Sequence, residues 1–284
     1  MAELLTGGSD LVLTDVVKTY RGHGVRAGEP LNAVDHVSLT LHPGQALGLV
    51  GQSGSGKTTL ARLITGVERP TSGTVELGGV RVDQLGRRGL RKLRSDIQMV
   101  FQDPYAALNP MHTVEYVLTR PLVNYLGLRG RAAEARVGEL LDLVGLTPVE
   151  QFEGKLPHQL SGGQRQRVVI ARALASEPKV IIADEPVSML DVSIRAGILK
   201  LLSDLREQTG ASMLYITHDL LSARVATSEI LVLHRGCVVE RGETLRVLQQ
   251  PRHEYTQSLV AAIPNPFAGV AAGVPHAASG RQQE

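Results

Sequence analysis

Two stretches of this sequence carry residue types and spacings that could do chemistry on a phosphate. The first is the run Gly51, Gln52, Ser53, Gly54, Ser55, Gly56, Lys57 and Thr58, with Thr59 directly behind it. Its glycines let backbone N–H groups close around an anion, and a following helix would point its positive end at the same place. Lys57 is spaced to reach the β- and γ-phosphates of a nucleotide, and the Thr58 hydroxyl to ligate magnesium. The second is Val180-Ile181-Ile182-Ala183-Asp184-Glu185, an apolar run that ends in two carboxylates. In an open α/β sheet, ligands bind at the carboxyl ends of the strands. Asp184 fits an acid that organises magnesium, and Glu185 a base that polarises an attacking water. Alone, such an acidic pair is more often a helix start. Downstream of a phosphate loop, the chemical role becomes the better account.

These residues need elements to hold them. Ala46 to Val50 is an apolar strand that runs straight into the phosphate loop, and Leu60 to Thr65 continues as helix, with Gly66 as a stop. Upstream, Leu11 to Tyr20 and Ala33 to Leu41 read as strands separated by a Gly-rich linker. Ile97 to Phe101 reads as a strand. Thr113 to Leu126 and Arg131 to Val144 then show helical apolar spacing, with Gly145 ending the second. A helix to Ala175 and the buried strand at Val180 follow. Further on come a helix near Val192 to Gln208, the strand Met213 to Thr217, a short helix and the strand Ile230 to Leu233. Such alternation means a parallel sheet covered on both faces. The fold class is therefore α/β: a phosphate-loop, RecA-like parallel-sheet core with an N-terminal antiparallel β subdomain and an inserted helical subdomain. The expected layout is a flexible N-terminus over residues 1–10 and an ATPase-type domain over 11–264. The helical insertion spans about 90–175, a closing helix about 253–263, and a disordered Ala-, Gly- and Pro-rich tail 265–284.

Composition narrows the classes. Thirty Lys and Arg stand against 28 Asp and Glu, a net charge of +2, so no field demands a polyanion partner. The densest basic stretch, Arg81 to Arg94, has no interleaved aromatics to stack bases and reads as a solvated helix face. Cys237 is the one cysteine, which excludes an intramolecular disulfide and a cysteine cage for metal. Neither a signal-peptide pattern at the N-terminus nor a run of about 18 apolar residues is found. A cytoplasmic chain is expected, and any membrane process it serves would need other subunits to span the bilayer.

Leu160-Ser161-Gly162-Gly163-Gln164 then changes the scale of the reading. It resembles the signature of ABC-type ATPases, and the resemblance runs over nearly the whole chain. Phe101-Gln102-Asp103-Pro104 looks like the family's Q-loop, Ser188-Met189-Leu190-Asp191 its D-loop, and Thr217-His218-Asp219 its switch-histidine segment. Taken singly, His218 also reads as a surface residue at a helix start, Gln102 as a solvated turn and Tyr20 as a strand aromatic. In this order and at these intervals they read as one device. The resemblance implies that Gln102 senses magnesium and water and faces a membrane subunit, and that His218 contacts the γ-phosphate. It implies that Tyr20 stacks on adenine and that Asp191 crosses to a partner. Ser161, Gly162, Gly163 and Gln164 would cap the γ-phosphate of the opposite subunit.

A finer resemblance, to peptide and nickel importer ATPases, rests on Asp103 to Pro110 and on the closing segment His253 to Pro264. Glu254 stands where that family usually has Pro, and the cysteine-rich cluster of some members is absent. The implied cofactors are ATP and Mg2+. The implied partners are a second, non-identical ATPase subunit, two membrane-spanning permease subunits and an extracytoplasmic solute-binding protein, with no nucleic acid. The implied location is peripheral, on the cytoplasmic face of the inner membrane. The alternative class is a soluble ABC-type ATPase acting on DNA or ribosomes. An exporter ATPase is disfavoured by the closing segment.

Overall fold

The computed structural model describes residues 9–21 and 30–263. Most of the expected N-terminal segment, the Gly-rich linker and the tail 265–284 lie outside the described residues. Chain order gives β1 (Leu11–Arg21), β2 (Pro30–Leu41), β3 (Ala46–Val50), α1 (Lys57–Ile64), β4 (Ser72–Leu77), β5 (Val80–Arg81), α2 (Arg87–Asp96) and β6 (Ile97–Val100). Four helices follow: α3 (Pro104–Ala107), α4 (Val114–Pro121), α5 (Arg131–Leu143) and α6 (Gly162–Leu174). The remainder is β7 (Val180–Asp184), α7 (Val192–Thr209), β8 (Ser212–Thr217), α8 (Leu220–Ala226), β9 (Glu229–His234), β10 (Cys237–Glu243), α9 (Thr244–Gln249) and α10 (Glu254–Ala261).

Two sheets organise these elements. One has the order β2-β1-β4-β5, antiparallel throughout; the other has the order β10-β9-β3-β8-β7-β6. In the second, β9, β3, β8, β7 and β6 pair in parallel, and β10 closes one edge as an antiparallel hairpin with β9. Side chains alternate across a strand, and both faces of this sheet are dry. Val180 and Ile182 of β7, with Leu214 and Ile216 of β8, face a cluster shared with α1 and the antiparallel sheet. Ile181, Ala183, Met213 and Tyr215 face the other way, into a cluster shared with α4, α5, α6 and α7. A third cluster packs Ile230 and Val232 against α8 and α9. The α/β architecture with its antiparallel sheet and helical region is thus set by two apolar faces with different partners.

One local difference from the sequence expectation has a clear physical cause. The helix expected over Thr113 to Leu126 is α only to Pro121, and the chain then widens to a π-turn over Leu122–Leu126. Pro121 brings no N–H to the helical ladder, which favours irregularity there. The hairpin of β4 and β5 and the helix α9 are additional elements. The basic stretch forms α2, of which only Leu93 is buried, as a solvated helix face requires.

Candidate active site

The strand β3 is wholly buried and delivers the chain into the phosphate loop at the carboxyl edge of the parallel sheet. Gly56 ends that loop at φ +110 and caps α1 with no side-chain hydrogen bond. A Cβ at Gly56 would lie 2.2 Å from the Ala33 carbonyl oxygen of β2, so only glycine fits. The first N–H groups of α1 are therefore left pointing into a cleft of about 570 Å3. Gln52, Ser53, Gly54, Gly56, Lys57, Thr58 and Thr59 line one wall; Gln102, Asp184, Glu185 and His218 line the other.

Lys57 is buried, and its Nζ donates to the carbonyls of Gly51 at 2.6 Å and Gln52 at 2.9 Å. Burial pushes its pKa down, opposed by the charges of Glu185 and Asp184. Burial pushes the Asp184 carboxyl up, and the neighbouring Glu185 adds to that, while Lys57 pulls the other way. The site thus concentrates opposite charges that water only partly screens. Ser55, inside the loop, leaves its buried Oγ without a hydrogen-bond partner among the described residues.

Glu185 sits at φ +47, the left-handed region, with its N–H donated to the Ile216 carbonyl at 2.8 Å. The Ser188 hydroxyl and N–H both donate to its carbonyl oxygen. Its carboxylate receives Gln102 Nε2 at 3.1 Å on one oxygen and His218 Nδ1 at 2.9 Å on the other. A carboxylate can only accept, so the His218 proton is on Nδ1 and Nε2 is left for another partner. Gln102 follows β6 and His218 follows β8, so three neighbouring strand ends converge on one carboxylate.

Magnesium fits this donor set. No hydrogen bond holds the Asp184 carboxylate among the described residues, and the Thr58 side chain lines the same cleft. Among the described residues no cluster of three or more His, Cys, Asp or Glu could hold a metal alone. A magnesium ion here would take one or two protein ligands and complete its shell with phosphate and water oxygens, which is its usual habit.

The remaining residues singled out in the sequence are not in the cleft lining. Ser161 caps α6: its Oγ accepts the Gln164 N–H at 3.2 Å, and Gln164 Oε1 accepts the Ser161 N–H at 2.9 Å. This reciprocal pair leaves Ser161 exposed, with Gly162 half-buried and Gly163 buried against Ile194. Asp191 is exposed at the start of α7 and makes no side-chain cap. Tyr20 is not in the cleft lining but reaches its edge: its hydroxyl donates to the Glu68 carboxylate and meets the side chain of Thr59, and Lys18 lies over its ring. Two contributors had no role assigned from sequence. The main chain at Ala33 carries no sequence signal, and Tyr255, within the closing segment, meets the loop only through the tertiary fold.

Comparison with known proteins agrees with this architecture. The family model described as ABC transporter matches residues 34–188. The oligopeptide transport ATP-binding protein OppD of Mycobacterium tuberculosis is 47% identical over 255 residues, covering 88% of this chain and 41% of OppD. A relative from Brucella abortus, named as a peptide import ATP-binding protein, is 44% identical over 262 residues, covering 91% of this chain and 78% of that one. The chain therefore spans about two fifths of OppD but most of the Brucella protein. Among solved structures, the dimeric ATP-binding cassette MJ0796 bound to ADP and Pi matches with a TM-score of 0.72 at 35% identity, over 82% of this chain and 98% of that one. The cassette cbiO1 of Clostridium perfringens matches with a TM-score of 0.75 at 29% identity, over 86% and 92%. By its phosphate loop, its strand-end carboxylates and these relatives together, the chain belongs to the ABC transporter family of ATP-binding proteins.

Proposed function

We propose that this chain is the ATP-hydrolysing subunit of an importer for peptides, nickel or a related small solute. The observation that carries the reading is the Glu185 carboxylate, held between Gln102 and His218 across the cleft from Lys57 and the open start of α1. In this reading the N–H groups from Gly51 to Thr59 and the Lys57 ammonium bind the phosphates. Thr58, Asp184 and Gln102 hold the metal side. Magnesium, when bound, supplies charge neutralisation between the phosphate oxygens. Glu185 orients and deprotonates the attacking water, and His218 steadies that carboxylate through its Nδ1–H; to donate to the γ-phosphate from Nε2 as well, the ring must carry a proton on both nitrogens. Tyr20, whose hydroxyl is tied to Glu68, offers its ring for the adenine.

Hydrolysis is completed across a pair of subunits. Ser161 and the signature glycines form an exposed helix start with no nucleotide of its own, suited to the γ-phosphate held by a facing subunit. Met189 and Val192, flanking Asp191 in the sequence, are exposed, an apolar margin that fits a partner carrying Asp191 contacts in return. A separate groove of about 580 Å3 is lined by Met99, Phe101, His112, Tyr116 and Val117, of which Phe101 directly precedes Gln102. It fits a segment of a permease subunit, which would place the chain peripherally on the cytoplasmic face of the inner membrane. No helix among the described residues is long and apolar enough to cross a membrane. The names of the relatives point to peptide-type solutes; nickel rests on the resemblance of the Asp103–Pro110 and closing segments.

The test is reconstitution with the permease subunits and a sister ATPase in vesicles. ATPase activity that rises with a solute-loaded binding protein, and ignores DNA and ribosomes, supports the reading. Strong activation by nucleic acid, with none from the membrane partners, overturns it.

A further inference from the structure

The end of the described chain is built into the phosphate loop. Tyr255 lies on α10, 203 positions from Gln52, and its hydroxyl oxygen accepts the Gln52 N–H at 3.0 Å. That N–H belongs to the peptide unit joining Gly51 and Gln52. The carbonyl of the same unit, Gly51 O, accepts Lys57 Nζ at 2.6 Å. One peptide plane is therefore gripped from both sides, by Tyr255 on its N–H and by Lys57 on its C=O. Hydrogen bonds arranged in series across a peptide polarise one another, so each grip strengthens the other.

Tyr255 itself is firmly mounted. Its ring lies on the His234 ring, centroids 3.8 Å apart and tilted by 31°. The Glu240 carboxylate accepts the N–H groups of Arg252 and His253, and His253 Nδ1 accepts the Tyr255 N–H at 3.1 Å, which fixes the start of α10. The hairpin between β9 and β10 makes a second contact, Gly236 N–H to the Ser55 carbonyl at 2.9 Å. The C-terminal hairpin and helix thus form an outer bracket on the loop.

We infer that Tyr255 is a positioning residue of the nucleotide site: its hydroxyl sets the Gly51–Gln52 peptide so that the Gly51 carbonyl parks the Lys57 ammonium at the loop entrance until a phosphate takes it. The inference rests on the loop binding Mg-ATP. It gives the closing helix a task that none of the motifs facing the cleft performs. A loop held ready in this way spends less of its binding energy on ordering itself.

The experiment uses the full chain with Tyr255→Phe, which removes one oxygen and leaves the ring on His234. The Kd for Mg-ATP is expected to rise roughly three- to tenfold, the scale of one neutral hydrogen bond. KM should rise with it, kcat should stay within about twofold, and the melting temperature should be unchanged. Amide exchange at Gln52 should accelerate. In a Lys57→Ala background the further loss of affinity should vanish, because both groups act through one peptide. A wild-type Kd in Tyr255→Phe overturns the inference alone, as does an equal loss in the Lys57→Ala background. Absence of Mg-ATP binding by the unaltered chain overturns the ATPase reading, and this inference with it.

Discussion

Two helices in this molecule start at glycine-rich motifs and use the same physics in opposite ways. The start of α1 has Gly56 as its cap, no side-chain acceptor, and free N–H groups facing a charged cleft. The start of α6 satisfies itself: Ser161 and Gln164 exchange hydrogen bonds, and the motif faces outward. A helix N-terminus attracts anions in either case. The difference is that the start of α1 shares its cleft with Lys57, Asp184, Glu185 and His218, whereas the start of α6 faces outward with its cap satisfied. An open start costs stability and gains chemistry; a capped start does the reverse.

The largest effect expected from this contrast is on turnover. Glu185→Gln should retain Mg-ATP binding and lower hydrolysis by roughly a hundredfold or more, the scale of a general base. Closed dimer should accumulate in ATP, measured by size-exclusion chromatography. Near-normal turnover in the reconstituted complex would break the contrast, because the cleft at α1 would then not hold the base. Next, Lys57→Ala removes a charge-assisted contact to phosphate, and Kd should rise by about 10- to 100-fold in a calorimetric titration. An unchanged Kd would remove the phosphate-loop assignment.

At α6 the same kind of probe should read differently. Ser161→Arg should leave this subunit's Kd for ATP intact, yet abolish closure over the nucleotide held by the partner. Ser161→Ala should destabilise the chain by about 1 kcal/mol through the lost cap, read by chemical denaturation. The smallest effect has the opposite sign. Asp184→Asn should raise the melting temperature of the nucleotide-free chain by roughly 1–4 °C, because a desolvated carboxylate beside Glu185 is neutralised. The same change should weaken magnesium-dependent binding. A fall in melting temperature would show that Asp184 repays its burial in the empty state.

How much of this was legible in the sequence depends on range. The strand–loop–helix around Lys57 was readable because Ala46 to Val50 is continuously apolar and the glycines follow at fixed offsets. Asp184 and Glu185 could be placed for the same reason, at the end of an apolar strand. The hairpin of β4 and β5 went unread although Gly78-Gly79, at φ +58 and +76, is the signal for such a turn. The α9 segment, six residues long, has too few turns to show a period. Contacts between distant segments left no local trace: Gln102 with Glu185, Tyr20 with Glu68, Tyr255 with Gln52. Periodicity reports which face is buried, not which polar atoms meet across the fold.

The left-handed backbone at Glu185 has a consequence of a different kind. An L-residue with a full side chain held there gives up about 1–2 kcal/mol that glycine would keep. Under selection for folding alone, position 185 would drift toward Gly or Asn, and each step would make a sturdier protein. In the proposed reading, what a glutamate there supplies in return is turnover. A library at position 185 sorted first for thermal endurance and then for hydrolysis should therefore split into two populations with almost no overlap.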